Sequence, residues 1–134
     1  MNPYRAPAVS SLVFTSFKDE LHALDRATGA PVWHHEGSGW PNMRIAVRDD
    51  RIFLLGANLV CLDTATGREI WRRDKGDGWV LLVDRESVFV GGGGQLSCFA
   101  AETGQLQWQQ VFKGKGGTAT TLSVVGQVVQ ADLT

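Results

Sequence analysis

Ala23-Leu24-Asp25-Arg26-Ala27-Thr28-Gly29-Ala30-Pro31-Val32-Trp33 is written three times in this chain. It returns as Cys61-Leu62-Asp63-Thr64-Ala65-Thr66-Gly67-Arg68-Glu69-Ile70-Trp71, and again as Cys98-Phe99-Ala100-Ala101-Glu102-Thr103-Gly104-Gln105-Leu106-Gln107-Trp108. The tryptophans at 33, 71 and 108 are 38 and 37 residues apart, so the 134 residues form an array of one supersecondary unit. Each motif residue has a physical reason to recur. Asp25 and Asp63 close a strand where a carboxylate can accept from turn N–H groups, and Thr28, Thr66 and Thr103 offer a hydroxyl to the same turn. Gly29, Gly67 and Gly104 supply a residue that tolerates positive φ, as a hairpin closing through a bulge requires. The tryptophan four residues later falls on the returning strand, where its ring can fill space against an adjacent unit.

Outward from the motif, each unit reads as four short strands separated by turn signals. The second unit has Met43 to Val47, Arg51 to Leu55, Asn58 to Asp63 and Glu69 to Arg72. The third has Trp79 to Val83, Ser87 to Gly91, Gln95 to Ala100 and Leu106 to Gln109. The first opens on a weaker strand at Ala6 to Val9, followed by Leu12 to Ser16, Glu20 to Asp25 and Val32 to His34. A fourth unit begins with Thr118 to Val124 and Gln127 to Ala131 and goes no further. Its Ser123-Val124-Val125-Gly126-Gln127-Val128-Val129 aligns with Ala8 to Phe14. The second strands, Leu-Val-Phe, Ile-Phe-Leu-Leu and Val-Phe-Val, are nearly continuous in apolar character, where a sheet with one wet face would alternate. Sheets buried on both faces and built from about 40 residues are propeller blades. The expected fold is all-β: one domain over 1–134, a partial β-propeller of about three and a half four-stranded antiparallel blades. Their approximate bounds are 4–37, 38–75 and 76–112, with a half-blade at 113–134.

Composition narrows the function classes. Thirteen basic and 14 acidic side chains nearly cancel and form no block of one sign, which argues against a nucleic-acid or anionic-membrane surface. No run approaches the roughly 20 apolar residues of a membrane-spanning helix. Met1 to Pro7 has no apolar core of a signal peptide, so the expected location is cytoplasmic, or periplasmic had a signal been removed upstream. Cys61 and Cys98 fill the slot that Ala23 occupies in the first unit. An Ala/Cys/Cys position reads as a small buried site, where a free thiol behaves as a modest hydrophobe.

The pattern A-x-D-x-x-T-G-x-x-x-W resembles the tryptophan-docking repeat of the pyrroloquinoline-quinone-like (PQQ-like, quinoprotein and BamB-type) β-propellers. The resemblance covers essentially the whole chain and implies that Trp33, Trp71 and Trp108 pack between neighbouring blades. Ala100 stands where the family has Asp, which implies a less well capped third turn. Cys61 and Cys98 stand where the family has Ala. Family propellers close with seven or eight blades, more than are present here. The family spans quinoprotein dehydrogenases, assembly scaffolds and sensor domains, so the motif speaks for the fold and not for an activity.

Candidate chemistry is sparse. By the resemblance, a PQQ-dependent dehydrogenase would bring a complete ring, a calcium site, a catalytic carboxylate and an adjacent cysteine pair. Asp25 and Asp63 are already explained by their turns, and the two cysteines are not neighbours. Gly91-Gly92-Gly93-Gly94 and Lys113-Gly114-Lys115-Gly116-Gly117-Thr118 have the flavour of phosphate loops but lack the following helix or the full spacing. Both read as blade connections. His34 and His35 are adjacent on a strand and point to opposite faces. No catalytic residue, cofactor or metal ligand is therefore assigned. Trp40 and Trp79 each follow a Gly-x-Gly segment and precede a first strand, which makes them candidate interaction residues on one rim.

An incomplete stack leaves two sheet faces able to cover a neighbour's blade, and large apolar faces are rarely left in water. The expected function is a non-catalytic scaffold or protein-interaction module whose ring is completed by other chains. Its partner is most simply a second copy in a homodimer, with another oligomer or a heterologous protein cap as alternatives. A piece of a longer quinoprotein dehydrogenase and a ligand-binding sensor are the rival readings.

Overall fold

The computed structural model describes residues 11–36, 43–117 and 120–125. They form three antiparallel sheets, each a meander of consecutive strands. The first sheet contains β1 (Leu12–Phe17), β2 (Glu20–Asp25) and β3 (Pro31–Glu36). The second contains β4 (Arg44–Arg48), β5 (Arg51–Leu55), β6 (Leu59–Asp63) and β7 (Glu69–Arg73). The third contains β8 (Val80–Asp84), β9 (Ser87–Gly92), β10 (Gln95–Ala100) and β11 (Leu106–Val111). Each of these strands lies within a residue or two of its expected place. Among the described residues the first sheet has three strands, because the expected strand at Ala6 to Val9 lies outside them.

The fourth unit differs from expectation. Gln127 to Ala131 lies outside the described residues, and within 120–125 the only pairing is an isolated bridge at Leu122. Thr120 and Leu122 lie against Gly91 of β9 instead.

Two kinds of turn recur in every sheet. Two-residue turns join β1 to β2, β4 to β5, β8 to β9 and β9 to β10, the first three with Lys18, Asp49 and Arg85 at φ of 50 to 55°. That left-handed residue lets the turn follow the strands' twist. The Thr-Gly turn joins the last two strands, and each ladder there shifts register by one residue, after Ala23, Cys61 and Cys98. The bulge sets the motif tryptophan directly across from the small residue, as Ala23↔Trp33, Cys61↔Trp71 and Cys98↔Trp108. On the other side of the small residue stands a phenylalanine: Phe14↔Ala23, Phe53↔Cys61 and Phe89↔Cys98.

The core lies between sheets rather than within one. One cluster joins Leu21, Phe14 and Trp33 of the first sheet to Ile52, Leu54, Val60 and Leu62 of the second. Another joins Phe53, Leu55, Leu59, Cys61 and Trp71 of the second to Val88, Val90, Phe99 and Ala101 of the third. The middle sheet is thus apolar on both faces, which explains its near-continuous second strand.

Candidate functional site

The motif residues meet at the junction between consecutive sheets, which is built the same way twice. In the motif turn the glycine N–H donates to the carbonyl of the residue four before it: Gly29 to Asp25 (2.7 Å), Gly67 to Asp63 (2.8 Å) and Gly104 to Ala100 (2.7 Å). The glycine φ values are 77°, 76° and 76°. The Asp25 carboxylate accepts from Ala27 N–H at 2.9 Å, and that of Asp63 from Ala65 at 2.8 Å and Thr66 at 3.3 Å. The hydroxyls of Thr28, Thr66 and Thr103 accept from Ala30, Arg68 and Gln105 N–H, each at 3.2 Å. Ala100 has no carboxylate to offer, so the third turn keeps the glycine and threonine bonds and lacks the aspartate ones.

Each tryptophan then docks on the next sheet's turn. The Trp33 indole N–H donates to the Thr64 carbonyl at 3.0 Å, and that of Trp71 to the Ala101 carbonyl at 2.9 Å. Their rings lie flat on the glycines. A Cβ added at Gly67 would stand 2.6 Å from Trp33 Cδ2, and one at Gly104 would stand 2.6 Å from Trp71 Cδ2. Glycine is required there twice over, for its φ and for the ring that covers it. Behind each ring sits the phenylalanine of the same row. Phe14–Trp33, Phe53–Trp71 and Phe89–Trp108 have centroid separations of 5.8, 6.0 and 6.1 Å at similar tilts, within the range of favourable aromatic pairs. Arg73 finishes the second junction: its guanidinium stands over the Trp71 ring at 5.9 Å and donates to the Thr103 carbonyl at 2.8 Å.

The structure brings Trp33 together with Thr66-Gly67's turn, and Trp71 with that of Thr103-Gly104. It leaves Trp108 and Thr28-Gly29 apart at opposite ends. Trp108 is 46% exposed where Trp71 is 6% exposed. The phenylalanines were legible as apolar strand residues only. Their signal was a Phe at the same place on every second strand, which marks the row completed by the small residue and the tryptophan.

Several of the other candidate residues make packing contacts. Trp79 covers Gly92, whose φ is 123° and whose added Cβ would stand 2.8 Å from the ring. Trp40 lies outside the described residues. The two glycine-rich segments lie on each other: Phe112 N–H donates to the Gly94 carbonyl at 2.7 Å, and an added Cβ on Gly94 would stand 2.9 Å from Gly116 N. Burial pushes the Cys61 thiol up to about 12, and Cys98 is buried too. His22 and His34 stack across β2 and β3 at 5.7 Å, and His35 points to the other face toward the second sheet. Among the described residues, no three His, Cys, Asp or Glu side chains converge as metal ligands. No described helix is long and apolar enough to cross a membrane.

A family model described as outer membrane protein assembly factor BamB matches residues 17–133. No curated protein matches the chain significantly in sequence. Among solved structures, BamB from Moraxella catarrhalis is similar at 24% identity and a TM-score of 0.61, over 75% of this chain and 32% of that one. A quinohemoprotein alcohol dehydrogenase from Comamonas testosteroni is similar at 22% identity and a TM-score of 0.62, over 75% and 19%. The computationally designed Ika8 protein is similar at 16% identity and a TM-score of 0.71, over 90% and 40%. At these identities the likeness is one of fold, and the chain spans less than half the length of each of these three structures.

Proposed function

The chain belongs to the BamB-type, PQQ-like propeller family, and from that premise we propose that it is a non-catalytic scaffold that works by assembling with other protein chains. The observation that carries this reading is the pair of unlike end faces. One bears Trp108 and the other Val13, both close to half exposed, while Trp71, Ile52 and Val88 at the matching internal places are buried. Apolar faces of that kind are interaction surfaces in soluble proteins. Continuing the stack with a partner's sheet would bury them by the contacts that already join the chain's own sheets.

The rival reading is a piece of a quinoprotein dehydrogenase. The carboxylates of Asp25 and Asp63 serve turn amides, and among the described residues no three His, Cys, Asp or Glu side chains converge as metal ligands. A third reading, a ligand-binding sensor, would use Trp40 and Trp79; Trp79 lies over Gly92 and is partly exposed.

Light scattering on the purified chain tests the proposal. A mass at a multiple of 14.6 kDa, or a stable complex with a partner protein, is expected. A lone, stable monomer that binds no protein would overturn it.

A further inference from the structure

Each internal junction is made of two halves. The leading half is a row of phenylalanine, small residue and tryptophan. The receiving half is a Thr-Gly turn with a free-facing carbonyl and the apolar back of the same sheet. The third sheet carries a leading half, Phe89-Cys98-Trp108, with the ring pair already at 6.1 Å. The first sheet carries a receiving half. Its turn has the dimensions of the two that are used: Gly29 at φ 77°, Gly29 N–H to Asp25 at 2.7 Å, and Arg26 N–H to Ser11 at 2.7 Å. Arg26 is the counterpart of Thr64 and Ala101, whose N–H groups are likewise bonded at 3.0 and 2.8 Å and whose carbonyls take the indole proton. A Cβ built at Gly29 meets nothing within 4 Å, where the same atom at Gly67 or Gly104 would strike a tryptophan. The back of the first sheet matches as well. By register Val13↔Leu24 corresponds to Ile52↔Leu62 and Val88↔Phe99, which are the pairs buried at the used junctions.

We propose that the chain binds a second copy of itself head to tail. Trp108 of one copy lies on Gly29 of the other and donates its indole N–H to the Arg26 carbonyl. This rests on the assembly reading above and names its partner. The occupant is a second copy because the receiving surface is a preformed repeat of the two that the chain's own tryptophans already use. Thr120 and Leu122 lie against Gly91, on the face that carries Phe89, and Trp108 on that face is still 46% exposed. The two halves are different surfaces, so the contact is heterologous: it closes into a ring if the rotation permits and continues otherwise.

Mixed-copy cross-linking tests it. Gln110 is the counterpart of Arg73, which reaches the turn at Thr103, so Gln110 of one copy should stand beside Thr28 of the next. Chains carrying Gln110→Cys and chains carrying Thr28→Cys are mixed and treated with a short bis-maleimide, to which the buried Cys61 and Cys98 are closed. A covalent pair is expected in the mixture and at least tenfold less in either chain alone. Adding Trp108→Ala to the first chain should lower its yield at least tenfold. Adding Val13→Arg to the second should do the same, so the result does not hang on one variant's folding. Self-linking of Gln110→Cys chains at the same yield would overturn the head-to-tail contact. So would no mixed product in a sample that light scattering shows to be multimeric, although the broader assembly reading would survive. A monomer would end the head-to-tail contact, and a monomer that binds no other protein would end both.

Discussion

At the scale of single residues, the same motif letter carries different weight in different units. Within a single chain Gly29 needs only its φ, whereas Gly104 needs its φ and the space beneath Trp71. Gly29→Ala should therefore cost about 1–2 kcal/mol, the strain of a left-handed alanine. Gly104→Ala should cost clearly more, because the methyl would displace a ring that has an indole bond to keep. Trp71→Ala should cost about 3–5 kcal/mol, as buried large-to-small changes do. Trp108→Ala should cost the isolated chain far less, since half its ring faces water. Urea unfolding of the four variants at low protein concentration reads these orders. Equal losses at Trp71 and Trp108 would contradict the junction geometry.

At the scale of elements, the third turn is the one built with a part missing. Ala100→Asp should restore the carboxylate that Asp25 and Asp63 direct at backbone amides, raising stability by about 0.5–1.5 kcal/mol. A thermal melt of that variant, with no gain in midpoint, would show that the third turn differs in more than its side chain. The first junction has its own pH sensitivity. Burial pushes the His35 imidazole below its usual value of 6.5, with Arg72 adding and Glu69 and the Gly67 backbone opposing. The folded state therefore prefers neutral His35. Its stability is full above pH 6.5 and falls as the unfolded chain takes up a proton that the folded chain refuses. Glu69 is lowered from 4.5, chiefly by its hydrogen bond from Arg72, so its own loss begins only in more acid solution. Urea midpoints compared at pH 7.5 and 5.5 should show a drop that His35→Gln removes.

At the scale of the whole molecule, assembly and stability are one equilibrium if the copies bind head to tail. The melting midpoint should rise with protein concentration, as mass action requires for a species bound only when folded. Val13→Arg should abolish that rise while barely moving the midpoint of the dilute chain. Much of this architecture was legible in the letters. The Thr-Gly-x-x-x-Trp repeat, the strand bounds and the two-faced apolar second strands are local properties, fixed by turn chemistry and side-chain period. Residues 120–125 escaped that reading, because where they lie depends on the sheet they pack against. The letters of the three motifs are also nearly the same, so they gave no ground for ranking Trp33, Trp71 and Trp108. Only the tertiary structure did, because a tryptophan's role here is set by whether another sheet's glycine stands under its ring, and that is a fact about neighbours in space.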